Sequence, residues 1–412
     1  MVFFNNMENK INNKKILFLL FFVSFSIPAH GMDRANNDQL SKTKANPAIS
    51  FEFLNSFEDN FPYEMGKIYQ NEEHSRFASE QFVCNQKHII NAMNDAAQRK
   101  DTKVHLTVGA HGANDMSLYE VTTLKRKANA HGKMTVALKG SPIKTDAQKG
   151  FVHIGSNNGT NSTWQIKPKK KIRFNLETGV STNDPELAEQ AYQMILSQSP
   201  IKKKKEVIEL TPKKPSLFSS KKTDLNKSLA QRLDTLAKDT SDNRSARIQT
   251  MNINDEEVVD AAIKAKKSGA DIEFIANHTA LTKYGTPLLQ KLDQAGIPVH
   301  IFCPDKDSQA SEHSKAVDII KGTKYMHLEN TGNVTDECAQ QTNYTLLLPN
   351  NKDITMQSIR NFETVKTVCK PLAPALQLKE KSNKEQAEKK AAKRKAEQEA
   401  QSAPDQKKKK TK

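Results

Sequence analysis

One short pattern occurs twice in this chain and limits the folds open to it. His131 and Lys133 form a His-x-Lys pair that opens an apolar run, and His313 and Lys315 do the same later in the chain. Side chains two residues apart on a β-strand point to the same face. Each pair therefore places an imidazole beside an ammonium. The repetition indicates a chain with a duplicated pattern.

A turn with small polar side chains follows each apolar run. The first turn reads Gly-Ser-Asn-Asn at 155–158, and the second reads Asn-Thr-Gly-Asn at 330–333. The order His-x-Lys, apolar strand, turn and Gly-Ser-x-Asn resembles the phospholipase D superfamily, in which two copies of the motif form one site. The resemblance covers roughly residues 81–362. It implies an α/β fold of two phospholipase D-like repeats, each a mixed β-sheet flanked by helices, packed as a pseudo-dimer.

The predicted helices and strands alternate in both halves, as expected for an α/β fold. Asp184 followed by Pro185 predicts the start of a helix, because Asp caps helix N-termini and Pro suits the first helical position. Residues 118–127 are predicted as a helix of the first half. Residues 297–302 are predicted as a strand that the first half lacks.

The sequence departs from the family pattern at two kinds of position. The family has an Asp five residues after the motif Lys, where this chain has Leu138 and Ile320. The family also has a Glu on the strand after Gly-Ser-x-Asn. Glu177 fits that position in the first repeat, and Thr345 stands there in the second. These departures keep open a reading in which the site binds anions without catalysis.

The resemblance assigns roles to nine side chains. The implied catalytic residues are His131, Lys133, His313 and Lys315, and the implied substrate-binding residues are Ser156, Asn158, Thr331, Asn333 and Glu177. Lysine ammoniums suit the phosphoryl oxygens of an anionic phosphodiester. One histidine attacks phosphorus to give a phosphohistidine, and the other protonates the leaving oxygen and then activates water. This scheme needs no metal or cofactor, and the sequence leaves open which histidine is the nucleophile.

The charge balance favours anionic partners. Lys and Arg number 63 against 47 Asp and Glu, a net charge of +16. Such a chain is attracted to nucleic acid or to anionic membrane surfaces. The excess is concentrated in a predicted basic linker at 201–245, which includes a short amphipathic helix, and in a basic tail at 371–412 predicted to be disordered or helical. The repeats are assigned to 81–200 and 246–370, after an N-terminal arm at 32–80.

The first 31 residues read as a signal peptide. Lysines precede an apolar run at 16–27, and Ala29-His30-Gly31 offers a small-x-small cleavage site. The mature protein is therefore predicted to be secreted or periplasmic. The four cysteines include no Cys-x-x-Cys pair, which argues against a zinc site. Disulfides and buried thiols both remain open for them.

The favoured hypothesis is an exported phosphodiesterase that hydrolyses phospholipid and, with both motifs in one chain, is active as a monomer. The first alternative is a secreted nuclease with the same mechanism. The second is a catalytically inactive polyanion-binding module on the same fold.

Overall fold

The computed structural model describes residues 49–55, 61–84, 86–109, 116–139, 150–156, 175–197, 204–210, 212–304, 311–335 and 340–402. Its strands are β1 (Phe51–Asn55), β2 (Arg76–Gln81), β3 (Lys103–Gly109), β4 (Thr123–Lys127), β5 (Lys133–Leu138), β6 (Gly150–Gly155), β7 (Asn175–Leu176), β8 (Thr178–Thr182), β9 (Ser216–Ser219), β10 (Arg244–Thr250), β11 (Asp271–Asn277), β12 (Val299–Phe302), β13 (Ser311–Glu312), β14 (Ala316–Lys321), β15 (Lys324–Asn330), β16 (Tyr344–Pro349) and β17 (Lys370–Pro371). Its α-helices are α1 (Phe61–Gln70), α2 (Lys87–Gln98), α3 (Pro185–Leu196), α4 (Leu225–Lys238), α5 (Glu256–Lys267), α6 (Gly285–Gln294), α7 (Lys352–Thr367) and α8 (Leu372–Ser402).

Two large mixed sheets repeat one strand order. The first runs β4-β3-β2-β5-β6-β8-β1, and the second runs β12-β11-β10-β14-β15-β16-β9 with β17 added beside β12. In each sheet the first three strands are parallel and the remaining neighbours pair antiparallel. The motif strands β5 and β14 occupy the same central place. The predicted α/β pseudo-dimer of two mixed sheets flanked by helices is confirmed.

One predicted helix is wrong. The structure has a strand, β4, within residues 118–127. This strand is the counterpart of β12, so the first half does not lack the strand that the second half has. β4 reads Thr-Leu-Lys-Arg-Lys and lies at the open edge of its sheet. Charged edge strands discourage pairing with other chains, and their composition hides the apolar alternation that identifies a strand.

Both halves begin earlier than the motif pattern indicates. Residues 51–80, assigned to an N-terminal arm, contribute β1, α1 and most of β2 to the first half. Residues 201–245, assigned to a linker, contribute β9 and α4 to the second half. The corresponding order strand, helix, strand therefore opens each repeat. The predicted amphipathic helix of this segment is present as α4, with Leu229, Leu233 and Leu236 buried.

The two halves share one core. α3 packs on β5 and β6 of its own sheet and on β9 of the other, while α7 packs on β14 and β15 and on β1. One apolar cluster joins side chains from both sheets, among them Val136, Ile154, Leu346 and Leu348. Residues 47–412 accordingly form one compact unit.

The helix start predicted at Asp184 is confirmed. The Asp184 carboxylate accepts hydrogen bonds from the backbone N–H groups of Glu186 and Leu187 at 2.9 and 3.2 Å, and Pro185 is the first helical residue. The cap satisfies donors that a helix cannot pair internally. It fixes α3 directly after β8, the strand that follows Glu177.

The C-terminal segment is helical as far as the structure describes it. Leu372 and Ala375 of α8 are buried against the second half, and side chains beyond Leu378 are mostly exposed. Within the described ranges, no helix is both long and apolar enough to cross a membrane. The predicted signal peptide lies outside the described residues, so its cleavage and the export of the protein stay predictions.

Candidate active site

The two His-x-Lys pairs lie where β5 and β14 begin. Lys133 and Lys315 are each only 1% exposed. Each ammonium donates a hydrogen bond to the backbone carbonyl of the histidine two residues earlier, that of Lys133 at 2.9 Å. The long lysine side chains thus fold back beneath the two imidazoles, which are partly exposed.

A buried carboxylate holds the second histidine. His313 Nδ1 donates to Glu177 Oε2 at 2.8 Å, and the Glu177 side chain is fully buried between β7 and β8. Ser156 Oγ donates to the same carboxylate oxygen at 2.5 Å. The carboxylate fixes the imidazole orientation and leaves Nε2 to face the site.

An amide holds the first histidine. His131 Nδ1 donates to Asn343 Oδ1 at 2.8 Å, and Thr331 Oγ1 lies 3.4 Å from the same oxygen. The Thr331 N–H donates to the carbonyl of Tyr344, and the Ser156 N–H donates to that of Thr178. Asn343 and Glu177 directly precede these two acceptors in the chain. They therefore occupy equivalent positions in the two halves. The assignment of Thr345 to this place is therefore wrong by two residues.

Thr345 has a different partner. Its hydroxyl donates to Asn330 Oδ1 at 2.6 Å within the second sheet. The sequence alignment set Asn343 opposite Asn175 and so placed Thr345 opposite Glu177. A slip of two residues keeps every side chain on the same face of the strand, so the alternation in the sequence does not reveal it.

Each half completes the site of the other. Glu177 of the first half holds His313 of the second, and Asn343 of the second half holds His131 of the first. Lys133 Nζ also donates to the carbonyl of Thr331 at 3.2 Å across the same boundary. Docking of the two sheets is therefore required to orient both histidines.

Burial and neighbouring cations lower the pKa of both histidines. Burial and the Lys133 ammonium hold the pKa of His131 well below its ordinary value, and His313 adds to this effect. Burial also lowers the pKa of His313, but Glu177 opposes it. Burial raises the pKa of Glu177, yet His313 and Lys315 outweigh it and the net pKa is lowered. The site thus favours one ionised carboxylate and a neutral His131.

The predicted phosphate-binding side chains fall into three groups. Ser156 and Thr331 are fully buried, and their hydroxyls brace Glu177 and Asn343 as described above. Asn333 lies beside Asn343 at a small cavity of about 40 Å³. Asn158 lies outside the described residues. The structure thus gives Ser156 and Thr331 a positioning part that the sequence alone did not indicate.

Gly332, at the variable third position of the second turn, lies against Asn343. A Cβ atom on Gly332 would lie 2.6 Å from the side-chain carbon of Asn343. Any larger residue would displace the amide that holds His131. The glycine is therefore part of the support of this imidazole.

Three further side chains at the site were missed. Tyr344 donates to Glu80 Oε2 at 2.9 Å across the two halves, directly beneath Gly132. The ring of Phe82 lies 4.9 Å from that of His131, and Lys133 Nζ is 5.8 Å from the Phe82 ring centre. Phe82 and Glu80 flank the end of β2, outside the motifs, so no sequence signal marked them.

The positions that lack the family Asp are buried and apolar. Leu138 and Ile320 are 4% and 9% exposed, in the strands that carry the motif lysines. Asp318, two residues before Ile320, is also buried and accepts from His327 at 2.8 Å and from Ser358 at 2.6 Å. The carboxylate in this strand therefore belongs to a buried polar cluster behind the site.

Comparison with known proteins finds solved structures with a similar fold. No family model matches the sequence, and no curated protein matches it. A polyphosphate kinase from Porphyromonas gingivalis has a TM-score of 0.55 and 13% identity over 76% of this chain and 46% of its own. A phosphatidylserine synthase from Haemophilus influenzae has a TM-score of 0.53 and 12% identity over 83% of this chain and 94% of its own. At these identities the likeness is one of fold.

The chain has the phospholipase D fold. A shorter match covers 38% of this chain and 98% of Nuc from Salmonella typhimurium, a phospholipase D family member, with a TM-score of 0.32 and 13% identity. The chain spans about half the length of the polyphosphate kinase that it matches. Within this phospholipase D fold the two His-x-Lys pairs occupy equivalent strands, as the resemblance implied.

Three of the four cysteines lie in the described residues. Cys84, Cys303 and Cys369 are free thiols, and Cys338 lies outside the described ranges. In the part of the chain that the structure describes, no group of three or more His, Cys, Asp or Glu side chains is placed to bind a metal ion. Among the described residues, the cations nearest the histidines are the two motif lysines.

Proposed function

We propose that this protein is a phosphodiesterase that works through a phosphohistidine intermediate. One observation carries the proposal: two imidazoles share a site with two buried lysines, and each imidazole is held at Nδ1 by a side chain from the opposite half. An anion-binding module would need the lysines but would have no use for two oriented rings. The complete support of both rings favours catalysis over the inactive alternative.

His131 is the nucleophile in this proposal. Its Nδ1–H donates to a neutral amide, so its Nε2 keeps a lone pair. Burial and Lys133 lower the pKa of His131, which keeps the ring neutral at the pH where it must attack. A neutral imidazole is the form that attacks phosphorus.

His313 is the general acid and then the general base. Glu177 stabilises the imidazolium form of His313 and opposes the effect of burial on its pKa. A bound phosphodiester brings a further negative charge, which raises the pKa of a neighbouring histidine. His313 therefore takes up its proton most readily when substrate is present.

The proposed reaction has two steps. The phosphodiester binds with its free oxygens beside Lys133 and Lys315, and His131 Nε2 attacks phosphorus. The bond to the leaving oxygen breaks, and that oxygen takes the proton of His313. In the second step water gives a proton to His313 and attacks phosphorus, and the phosphorus–nitrogen electron pair returns to His131. The product is a phosphomonoester, and an alcohol in place of water would give a new diester.

Phospholipid is the proposed substrate. The net charge of +16 and the basic C-terminal segment suit an anionic membrane surface. The predicted signal peptide would deliver the mature chain to membranes outside the cytoplasm. These features support attraction to such a surface, and the choice of phospholipid rests on them.

A nuclease is the second candidate, and Phe82 is the observation that favours it. Its ring lies beside His131, where it offers a face to a base. Stacking of a base on an aromatic side chain contributes roughly 1–3 kcal/mol. Phe82→Leu would weaken nucleic-acid cleavage more than phospholipid cleavage if this candidate is right.

The test uses phospholipid vesicles that contain a short-chain alcohol. We expect the chain from Met32 to form the phosphatidyl-alcohol, and His131→Ala and His313→Ala to form none. Cleavage of plasmid or RNA by the wild type alone would identify nucleic acid as the substrate instead. Equal behaviour of wild type and both variants on all three substrates would overturn the enzymatic proposal.

A further inference from the structure

A second cavity lies on the second half, at the end of the β14–β15 hairpin opposite the active site. Its volume is about 400 Å³. α4, the hairpin and the segment that leads into β9 form its walls. Lys315 precedes one end of β14 and Lys321 closes the other, so the length of a six-residue strand separates the cavity from the motif lysine. The cavity is therefore distinct from the candidate active site.

The walls of this cavity are largely apolar. The side chains that form them include Leu236 from α4, Ile319 from β14, and Tyr325 and Met326 from β15. A volume of this size with apolar walls is typical of sites for small organic ligands. An apolar group of matching size would lose much of its contact with water there.

The charged side chains at this cavity are all cations. Its described lining residues include Lys213, Arg232, Lys321 and Lys324, and no carboxylate. Lys321 has a partner, Asp239, at 3.0 Å. Lys213 and Lys324 are exposed at the rim. The rim therefore attracts anions.

Arg232 is the most unusual of these cations. Its side chain is 2% exposed, and its terminal nitrogens donate to the carbonyls of Leu210 and Glu209 at 2.8 and 2.5 Å. Its Nε has no hydrogen-bond partner among the described residues. The nearby Glu209 side chain is exposed. Burial lowers the pKa of Arg232 to about 10.

A buried charge whose nearby counter-charge, Glu209, is exposed is costly, and an anion beside it would offset that cost. We infer that this cavity binds an amphiphilic anion, with an alkyl chain on the apolar walls and a carboxylate or phosphate head at Arg232, Lys213 and Lys324. This site is independent of the proposed phosphodiesterase activity. The chemistry fits a medium-chain fatty acid or an alkyl phosphate.

Calorimetric titration of the full chain tests the inference, with decanoate and decyl phosphate as probes. We expect saturable binding of one equivalent of either probe, and much weaker binding of decanol and of inorganic phosphate, which lack the head or the tail. Comparison of decanoate with decyl phosphate identifies the preferred head.

Three variants sharpen the test. Lys324→Glu and Lys213→Glu reverse exposed charges and leave the core untouched, and each should weaken decanoate binding about fivefold or more. Arg232→Met should weaken it about tenfold or more, with its folding checked by circular dichroism. Lys87→Glu, an exposed charge reversal on α2, is the matched control and should bind like wild type.

The outcomes separate this site from the active site. Loss of decanoate binding in Lys324→Glu and Lys213→Glu, with binding retained in Lys87→Glu, would support the inference. Decanoate binding that is equal in wild type and both lysine variants would overturn it, as would no saturable binding. Neither result depends on whether the protein proves to be a phosphodiesterase.

Discussion

The two histidines of the candidate site differ in the kind of oxygen that accepts the hydrogen bond from Nδ1. An amide oxygen of Asn343 accepts from His131, and a carboxylate oxygen of Glu177 accepts from His313. A carboxylate stabilises an imidazolium, whereas an amide does so far less. In the proposed mechanism, this difference distinguishes the two roles that the sequence left open.

The assignment predicts the pH dependence of kcat/KM. The active free enzyme has neutral His131 and protonated His313, and the pKa of each is lowered from about 6.5. His131 must lose its proton at lower pH than His313. Activity should therefore be highest on the acid side of pH 6.5, with limbs that belong to the coupled pair. A pH–rate profile with its maximum above pH 7.5 would contradict the assignment.

Exchanging the supporting side chains should move opposite limbs of that profile. Asn343→Asp places a carboxylate beside His131 and raises the pKa of that ring, so the acidic limb should shift to higher pH. Glu177→Gln removes the carboxylate beside His313 and lowers the pKa of that ring, so the basic limb should shift to lower pH. Profiles of both variants test this, and a shift of the same limb in both would refute distinct roles.

Leaving-group dependence should separate the two histidines. His313→Ala should slow release of an alkyl alcohol by about 10²–10⁴-fold, because general acid catalysis is lost. Release of p-nitrophenolate needs little protonation, so its first turnover should be nearly unaffected in this variant. His131→Ala should be slow with both substrates. Stopped-flow traces of the two diesters give the comparison, and equal losses in His313→Ala on both would reject its role as acid.

At the scale of elements, the β14–β15 hairpin is held by a buried ionic cluster. His327 lies between Asp318 at 2.8 Å and Glu329 at 3.4 Å, and Thr178 of the first half donates to Glu329 at 3.0 Å. Burial alone would lower the pKa of His327, but the two carboxylates outweigh it and raise it to about 9. The cluster thus ties the motif strand β14 to the opposite sheet.

This cluster predicts a loss of stability at alkaline pH. A raised pKa in the folded state gives stability that is complete below the unfolded value of about 6.5 and is lost as pH rises through about 9. We expect the free energy of unfolding to fall by of order 1–3 kcal/mol over that window. Urea unfolding at several pH values measures it. His327→Gln should flatten the dependence, and an unchanged slope would exclude His327 as its source.

Elements with clear periodic or capping signals could be predicted from the sequence. The helix α3 follows from Asp184 and Pro185, and the motif strands follow from His-x-Lys and the apolar runs. β4 could not be predicted, since three of its five residues are Lys or Arg. β1 and β9 could not be assigned because they are edge strands whose partners lie far along the chain.

The site could be predicted in part. The motifs identified the two histidines and lysines, and the family pattern identified Glu177 as a site residue. Asn343 could not be found because its role depends on the register between the turn at Thr331 and β16. Phe82 could not be found because it reaches His131 only once β2 is folded into the sheet. The roles of Ser156 and Thr331 as supports needed the side-chain geometry.

At the scale of the whole molecule, part of the positive charge lies on exposed residues outside the packed core. α8 is anchored by Leu372 and Ala375, while its later residues are exposed and contain more Lys and Arg than Asp and Glu. Truncation after Glu380 should change the free energy of unfolding by less than about 0.5 kcal/mol, as for other exposed residues.

The same truncation should weaken binding to anionic vesicles. Each Lys or Arg near such a surface contributes roughly 1 kcal/mol, and salt screens the effect. Vesicle sedimentation at low and high salt measures it. A full-length chain with the tail lysines changed to Gln is the matched control and should lose binding equally. Vesicle binding unaffected by either change would assign the attraction to another surface.

Mass spectrometry of the acid-labile phosphoenzyme is the most direct test of the central claim, that both halves form one covalent catalytic site. His313→Ala should accumulate the intermediate from a p-nitrophenyl diester, because it lacks the base that activates water. We predict an adduct on His131 that carries the phosphoryl group with its remaining ester, and none in the double variant with His131→Ala. An adduct on another residue, or turnover of the diester without any adduct, would contradict the account.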